Sequence, residues 1–482
     1  MKAKTMQRAI LAAAISAVSC HTLAAGFQLQ EHSSAGLGRA FAAENTIGDT
    51  AAIVIRNPAG SALFEDIAIS GGFNYVNPNI SARGEVSHFL DFETENGVNR
   101  VPLGALVPGY EPFITSGSDY VTDAFVPNFS IAGRIDDCWT WGFGAFSNYG
   151  LESDFSSGFG ALEVADKASI LAVNLAPSIA YSWDNFSVGL SLNALYGEGE
   201  FRTSVPFNDA NPFFTQGGFS GGERILDYEN DGDWDFSWTI GFLWQFDEHS
   251  RLGFSYQDGF DFEADGDIRS DLNSLIDLAS ADLTIDIPGI WELGFYHRFN
   301  DEWGFAAGVM YTEWDDFQEL VLSDVRTQVN NPVTGERIVI EELTLKEEDF
   351  ESNWRASFGL EWYPCPEVTW RAGFAWDEGT AQAGLRSAES LGDLSDISYR
   401  TLSIPDTDRW WVSFGGTYRW DQNFSIDAGF SYLWGDDESV IEEFSFPVDP
   451  VNQPGVSGTT RFDGGTTETE AWLFGVNFNY TF

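Results

Sequence analysis

The side chains able to do chemistry in this chain are mostly acidic: 74 Asp and Glu stand against 24 Lys and Arg, for a formal net charge of −50. That balance excludes binding of nucleic acid, or of an anionic bilayer surface, through bulk charge. Cations are scarce. Arg251, Arg298, Arg355, Arg371 and Arg419 fall at inward positions alongside acids such as Glu292, Glu361 and Asp427, and read as structural ion pairs. Lys346 follows Leu343-Thr344-Leu345, where a loop lysine would pair with Glu347 or Glu348. Nucleophilic catalysis needs a Ser–His pair with an orienting partner, yet beyond the leader the histidines are His32, His88, His249 and His297, none in a nucleophile motif. Cys138 and Cys365 sit in apparent short turns and make neither a disulfide framework nor a metal set. The run Asp227-Tyr228-Glu229-Asn230-Asp231-Gly232 resembles the start of a calcium loop, but the twelfth position is Trp238 rather than a bidentate Glu. No enzyme, no cofactor and no metal site are expected.

The elements that position these residues are strands. Aromatics make up 15% of the chain, with 18 Trp and 41 Phe, yet after the leader no run of 18 apolar residues exists, so helical membrane spans are excluded. A β-barrel fits, because outward and inward residues average to a bland hydropathy. The last strand is the clearest: Trp472, Phe474, Val476, Phe478, Tyr480 and Phe482 face one way, and Leu473, Gly475, Asn477, Asn479 and Thr481 the other. An apolar face with aromatics at both ends meets lipid and its two interfaces. Period-two counting from Ile67 onward gives fourteen such strands. Short turns at Asp184-Asn185, Asp247 to Ser250, Asn300-Asp301, Pro364 to Pro366 and Asp421 to Asn423 alternate with long polar stretches over 77–124, 202–233, 317–349, 378–408 and 435–469. That asymmetry puts the short turns in the periplasm.

Residues 1–24 read as a secretory signal: Lys2, Lys4 and Arg8, then an apolar Ala9 to Val18, then Thr22-Leu23-Ala24 as cleavage site. Residues 25–60 lack both strand alternation and a helical stripe, and carry charges of both signs at Glu31, Arg39, Glu44, Asp49 and Arg56, as a luminal plug would. Residues 61–482 form the barrel with long extracellular loops. The expected fold is all-β: a 14-stranded antiparallel transmembrane β-barrel plugged by an N-terminal hatch, in the bacterial outer membrane. Fourteen strands at about 4.8 Å and about 40° tilt make a barrel roughly 28 Å across. Cys138 and Cys365 lie nearly opposite, beyond the roughly 7 Å a disulfide spans, so no bridge is expected.

Several segments carry a family resemblance. Ala25-Gly26-Phe27-Gln28-Leu29, the Ser34–Ala40 run, Arg56-Asn57-Pro58-Ala59, Ser147 to Leu151, Leu283 to Trp291, Leu402 to Trp410 and Ala471 to Phe482 resemble FadL-type outer-membrane fatty acid transporters. The resemblance implies passive uptake of long-chain fatty acids or similar hydrophobic molecules by a monomer, with outer-membrane lipid receiving the ligand. Neutral hydrocarbons or aromatics, as in the family's toluene-type branch, are the alternative ligands, and a structural or adhesive barrel with a closed plug is the alternative class. By the same resemblance Phe27 lies against the ligand's alkyl chain and Lys346 meets its carboxylate, with Phe201 a further ligand-binding residue. Thr203 takes the place of the family's second cation, with Arg202 one residue away. Gly150 and Asn148 fall at an inward kink in strand three, through which ligand leaves sideways, and Asn57, Pro58 and Ala59 end the hatch facing that kink.

Overall fold

The computed structural model describes residues 26–94, 97–207, 219–271, 278–330, 337–387, 396–447 and 455–482. The leader expected over residues 1–24 lies outside the described residues. Fourteen strands close a barrel: β1 (Ala68–Thr94), β2 (Ala124–Arg134), β3 (Trp139–Asp154), β4 (Lys167–Trp183), β5 (Phe186–Ser204), β6 (Asp233–Gln245) and β7 (Ser250–Gln257). They continue with β8 (Ile290–Arg298), β9 (Trp303–Thr312), β10 (Asn353–Cys365), β11 (Val368–Asp377), β12 (Arg409–Arg419), β13 (Phe424–Gly435) and β14 (Val456–Thr481). Each pairs antiparallel with its chain neighbour, and β1 closes the ring on β14 from Ala68↔Thr481 to Phe92↔Val456. Closure satisfies the backbone polar groups that an open edge would strand in lipid.

The period-two reading holds in detail. On β6, Trp234, Phe236, Trp238, Phe242 and Trp244 are exposed, while Ser237 and Thr239 are buried. Aromatics are brought level on adjacent strands, forming girdles at two heights. Tyr256 pairs with Trp291, Trp291 with Tyr311, and Tyr311 with Trp354 at one height. Trp303, Trp362 and Trp370 align at the other. Cys138 and Cys365 are free thiols.

The long polar stretches are not simple loops. β1 runs on to Thr94, and further strands at Glu319–Asn330, Arg337–Glu347 and Ser439–Pro447 raise the wall well beyond the girdles. Apolar side chains line the inside of this wall: Ile80, Ala82 and Val86 on β1 are buried with Val440 and Phe462. Alternation was present there, but polar outer residues hid it, because that part of the wall meets water rather than lipid. The segment that resembles the start of a calcium loop falls in a strand. Asp227 to Asn230 lie in the strand Arg224–Asn230, where alternate side chains diverge. Asp227 instead receives Arg224 at 3.1 Å, and Glu229 faces Arg269 at 3.6 Å.

The N-terminal segment from Phe27 to Ser61 fills the lumen, nearly all of it buried. Its backbone meets the wall at glycines. A Cβ on Gly373 of β11 would stand 2.1 Å from the Arg39 carbonyl carbon, and one on Gly429 of β13 would stand 2.4 Å from Ser34 O. Only glycine admits such close approach of two backbones. Ions lock the same turn: Arg39 donates to Asp49 at 2.7 Å, Glu44 at 2.8 Å and Glu361 at 3.3 Å, and Arg371 bridges Asp49 and Glu361 at 2.9 Å each. Of the other inward arginines, Arg355 pairs with Asp377 at 3.2 Å. Arg251, Arg298 and Arg419 bond backbone carbonyls rather than acids. Arg56 of the plug, not a wall arginine, faces Glu292 at 3.7 Å.

Candidate ligand cavity and lateral opening

A cavity of about 550 Å³ opens in the extracellular half of the barrel. Phe201, Arg202 and Thr203 reach it from the upper end of β5, and Leu343 to Glu347 from the strand Arg337–Glu347. Three of the four residues expected to contact ligand, Phe201, Arg202 and Lys346, therefore share one lining. Leu226, Leu343, Leu345 and Phe444 supply apolar surface around them. A few polar groups on a mostly apolar wall is the usual make-up of a small-molecule site.

Lys346 is a strand residue paired with Leu320, not a loop residue, and its partner is neither Glu347 nor Glu348. Its ammonium donates to Val164 O at 2.6 Å and to Glu442 from the strand Ser439–Pro447. Arg202 donates to Asp166 at 2.7 Å, which Ser204 Oγ also contacts at 2.6 Å. Burial and the nearby Glu442 charge push the Glu348 carboxyl up to about 8. Glu348 accepts from Thr401 Oγ1 at 3.2 Å. Glu442 and Val164 escaped sequence reasoning. Each comes from a distant segment, and nothing in Ile441-Glu442-Glu443-Phe444 marks the acid that meets Lys346.

Phe27 lies apart from that lining. It is fully buried in an aromatic cage, with ring centroids 4.8 Å from Trp314, 5.3 Å from Phe317 and 5.9 Å from Tyr149. The two places are nevertheless continuous. Phe201, Tyr228, Phe262, Leu283, Tyr149 and Phe27 belong to one apolar cluster, against which Leu226, Leu343 and Leu345 of the cavity also pack.

The cluster ends at a gap in the wall. The β2–β3 ladder runs only from Arg134↔Thr140 to Phe129↔Ala145. Among the described residues β3 is next met higher up by the segment ahead of β2, where Thr122 N donates to Glu152 O at 3.1 Å and Asp154 N to Tyr120 O at 2.8 Å. Between these points β3 turns to the plug instead: Leu29 N donates to Asn148 O at 2.8 Å, and Gly150 N to Phe27 O at 2.9 Å. His32 Nε2 lies 3.1 Å from Ser147 O. The irregularity that frees β3 is one extra residue, because Phe146 pairs with Asn174 but Tyr149 already pairs with Ala172. It therefore sits at Ser147-Asn148, and inward residues switch from even numbers below it to odd numbers above.

Gly150 pairs with Leu171 just beyond the extra residue, within the stretch that leaves β2 for the plug. One expectation needs correction. Asn57, Pro58 and Ala59 do not face the kink. A Cβ on Gly241 of β6 would stand 1.9 Å from Asn57 Oδ1, and one on Gly189 of β5 would stand 2.4 Å from Ala59 N, so the turn is seated on β5 and β6. Asn57 Nδ2 donates to Phe242 O at 3.0 Å, which fixes it there. Gly189 on β5 and Gly241 on β6 leave room for this Pro-containing turn.

A closed, lipid-facing barrel with a filled lumen and girdles at both interfaces is an outer-membrane transport barrel. The chain belongs to the outer membrane protein transport family (OMPP1/FadL/TodX), whose profile matches residues 15–482. It is 28% identical, over the whole of both chains, to the long-chain fatty acid transport protein of Escherichia coli O6:H1. A FadL homologue of Pseudomonas aeruginosa superposes with a TM-score of 0.71 at 20% identity, over 95% of this chain and all of the other. The toluene transporter TodX of Pseudomonas putida superposes with a TM-score of 0.56 at 15% identity, over 95% and 100% of the two chains. The protein is a bacterial outer-membrane protein.

Proposed function

We propose that this chain carries long-chain fatty acids, or similarly hydrophobic molecules, passively across the outer membrane. Ligand enters the cavity beside Phe201, Arg202 and Lys346, passes along the apolar cluster towards Phe27, and leaves between β2 and β3 into the outer membrane. The observation that carries this reading is the continuity of that cluster from the cavity lining to the wall gap. The plug, spanning residues 25–60, acts as a hatch whose first residues, Gly26 to His32, move, since among the described residues Phe27, Leu29 and His32 bond β3 at the gap. The deeper turn at Arg39 stays locked to the wall by its ion pairs. A neutral hydrocarbon would travel the same path, which makes head-group preference the point to measure. Cells lacking their own transporter of this kind, expressing the chain, should take up oleate faster than empty-vector cells. Parallel assays with hexadecane and toluene rank the alternative ligands. Uptake of none of the three above vector level would leave a structural barrel as the correct reading.

A further inference from the structure

Lys346 is the cavity's natural partner for a ligand head group, and it is already engaged. Its ammonium donates to Val164 O and to Glu442, which also lines the cavity. The second Glu442 oxygen accepts the Leu402 amide at 3.0 Å, so the carboxylate is held in place rather than swinging free. An ammonium has three N–H groups. Two are engaged among the described residues, leaving one for a ligand.

A carboxylate head taking that last N–H would share one cation with the Glu442 carboxylate. Two carboxylates on one site oppose each other's charged forms. A hydroxyl or ester head accepts the same N–H without that repulsion. The other cations on the lining each face an acid as well. Arg202 is held by Asp166 at 2.7 Å, Lys167 by Glu200 at 2.5 Å, and Arg386 by Glu347 at 2.5 Å.

We infer that Glu442 sets head-group specificity: by holding Lys346 it lowers the cavity's affinity for carboxylate-headed ligands relative to uncharged amphiphiles of the same chain length, such as fatty alcohols and esters. The inference rests on the cavity being the ligand site, as proposed above. Glu442 is a positioning residue for Lys346. A glutamine there keeps the shape and the bond from Leu402 while removing the charge.

The test uses the full chain in amphipol, titrated calorimetrically with dodecanoate and with dodecanol. Wild type should bind dodecanol at least as tightly as dodecanoate. Glu442→Gln should tighten dodecanoate about tenfold and leave dodecanol within about twofold, because only the charged head feels the lost repulsion. Adding Lys346→Ala should abolish the gain. Glu442→Asn repeats the charge removal should the glutamine variant fold poorly. Dodecanoate affinity unchanged or weakened in the folded variant would overturn the role of Glu442 while leaving the cavity reading intact. Leu226→Trp, which fills the cavity, separates the two: unchanged dodecanol binding there would overturn the cavity reading itself, and the inference with it.

Discussion

Replacing Gly373 with valine should unseat the plug while leaving the barrel closed. The glycine lies on β11 where the Arg39 turn presses closest. A Cβ would stand 2.1 Å from the Arg39 carbonyl carbon, 2.4 Å from its oxygen and 2.5 Å from Ala40 N. All three are backbone atoms, so no side chain can swing away, and the turn must retreat by more than 1 Å to reach ordinary contact. Overpacking of this kind costs about 1–3 kcal/mol. Retreat also pulls Arg39 from Glu361, already at 3.3 Å, and a charge-assisted hydrogen bond contributes about 1.5–3 kcal/mol. The sum, roughly 2.5–6 kcal/mol, acts on the plug alone, because Gly373 keeps its ladder partners Gly359 and Ser413 whatever its side chain. Planar-bilayer recordings should show stable ion conductance that wild type lacks, with the heat-modifiable gel shift of a folded barrel retained. A folded variant as electrically silent and as thermally stable as wild type would refute the seat assigned to Arg39.

Three further outcomes follow from the same geometry. Lys346→Ala should weaken dodecanoate binding more than dodecanol binding, by about 1.5–3 kcal/mol for the lost charge-assisted bond; equal losses in calorimetry would make Lys346 a bystander. Glu348 titrates near 8 in the fold against an ordinary 4.5, so the folded state holds the extra proton between those values and stability falls as pH rises from 4.5 to about 8. Glu348→Gln should flatten that slope in thermal melts, and an unchanged slope would remove Glu348 as its source. Gly241→Val, which drives a side chain into Asn57 and Pro58 from 1.9 Å, should also raise bilayer conductance; a silent, folded variant would contradict the seat on β5 and β6.

Much of this was legible in the sequence because lipid imposes a strict pattern. The period-two faces of β4, β5, β6 and β14 and the short turns at Asp184-Asn185 and Asn300-Asp301 were read directly, since a lipid-facing position tolerates little else. The wall above the girdles was missed because water accepts polar outer residues, and Ile80, Ala82 and Val86 alternate too weakly against them. The extra residue at Ser147-Asn148 left no mark in the alternation, and only the resemblance put Asn148 at a kink. Trp139, Trp141 and Phe143 face lipid below it, while Tyr149 and Leu151 face the apolar lumen above it, so odd-numbered residues stay apolar although the inward phase has flipped. Lys346, Arg202 and Phe201 were placed by resemblance, and the cavity unites them. Glu442 was invisible, because its meeting with Lys346 spans 96 residues of chain and depends on how the upper wall folds inward.

The proposed lateral release depends on that one extra residue. Deleting Asn148 would let β3 pair with β4 from Phe146↔Asn174 without interruption and align it with the free stretch of β2. Oleate uptake in cells, measured beside calorimetric binding and barrel folding of the same variant, tests the route most directly. Lateral release predicts a folded barrel that binds dodecanoate as wild type does and takes up no oleate above vector level. A folded, binding variant that takes up oleate at the wild-type rate would contradict it, and would put the ligand's path through the plug itself.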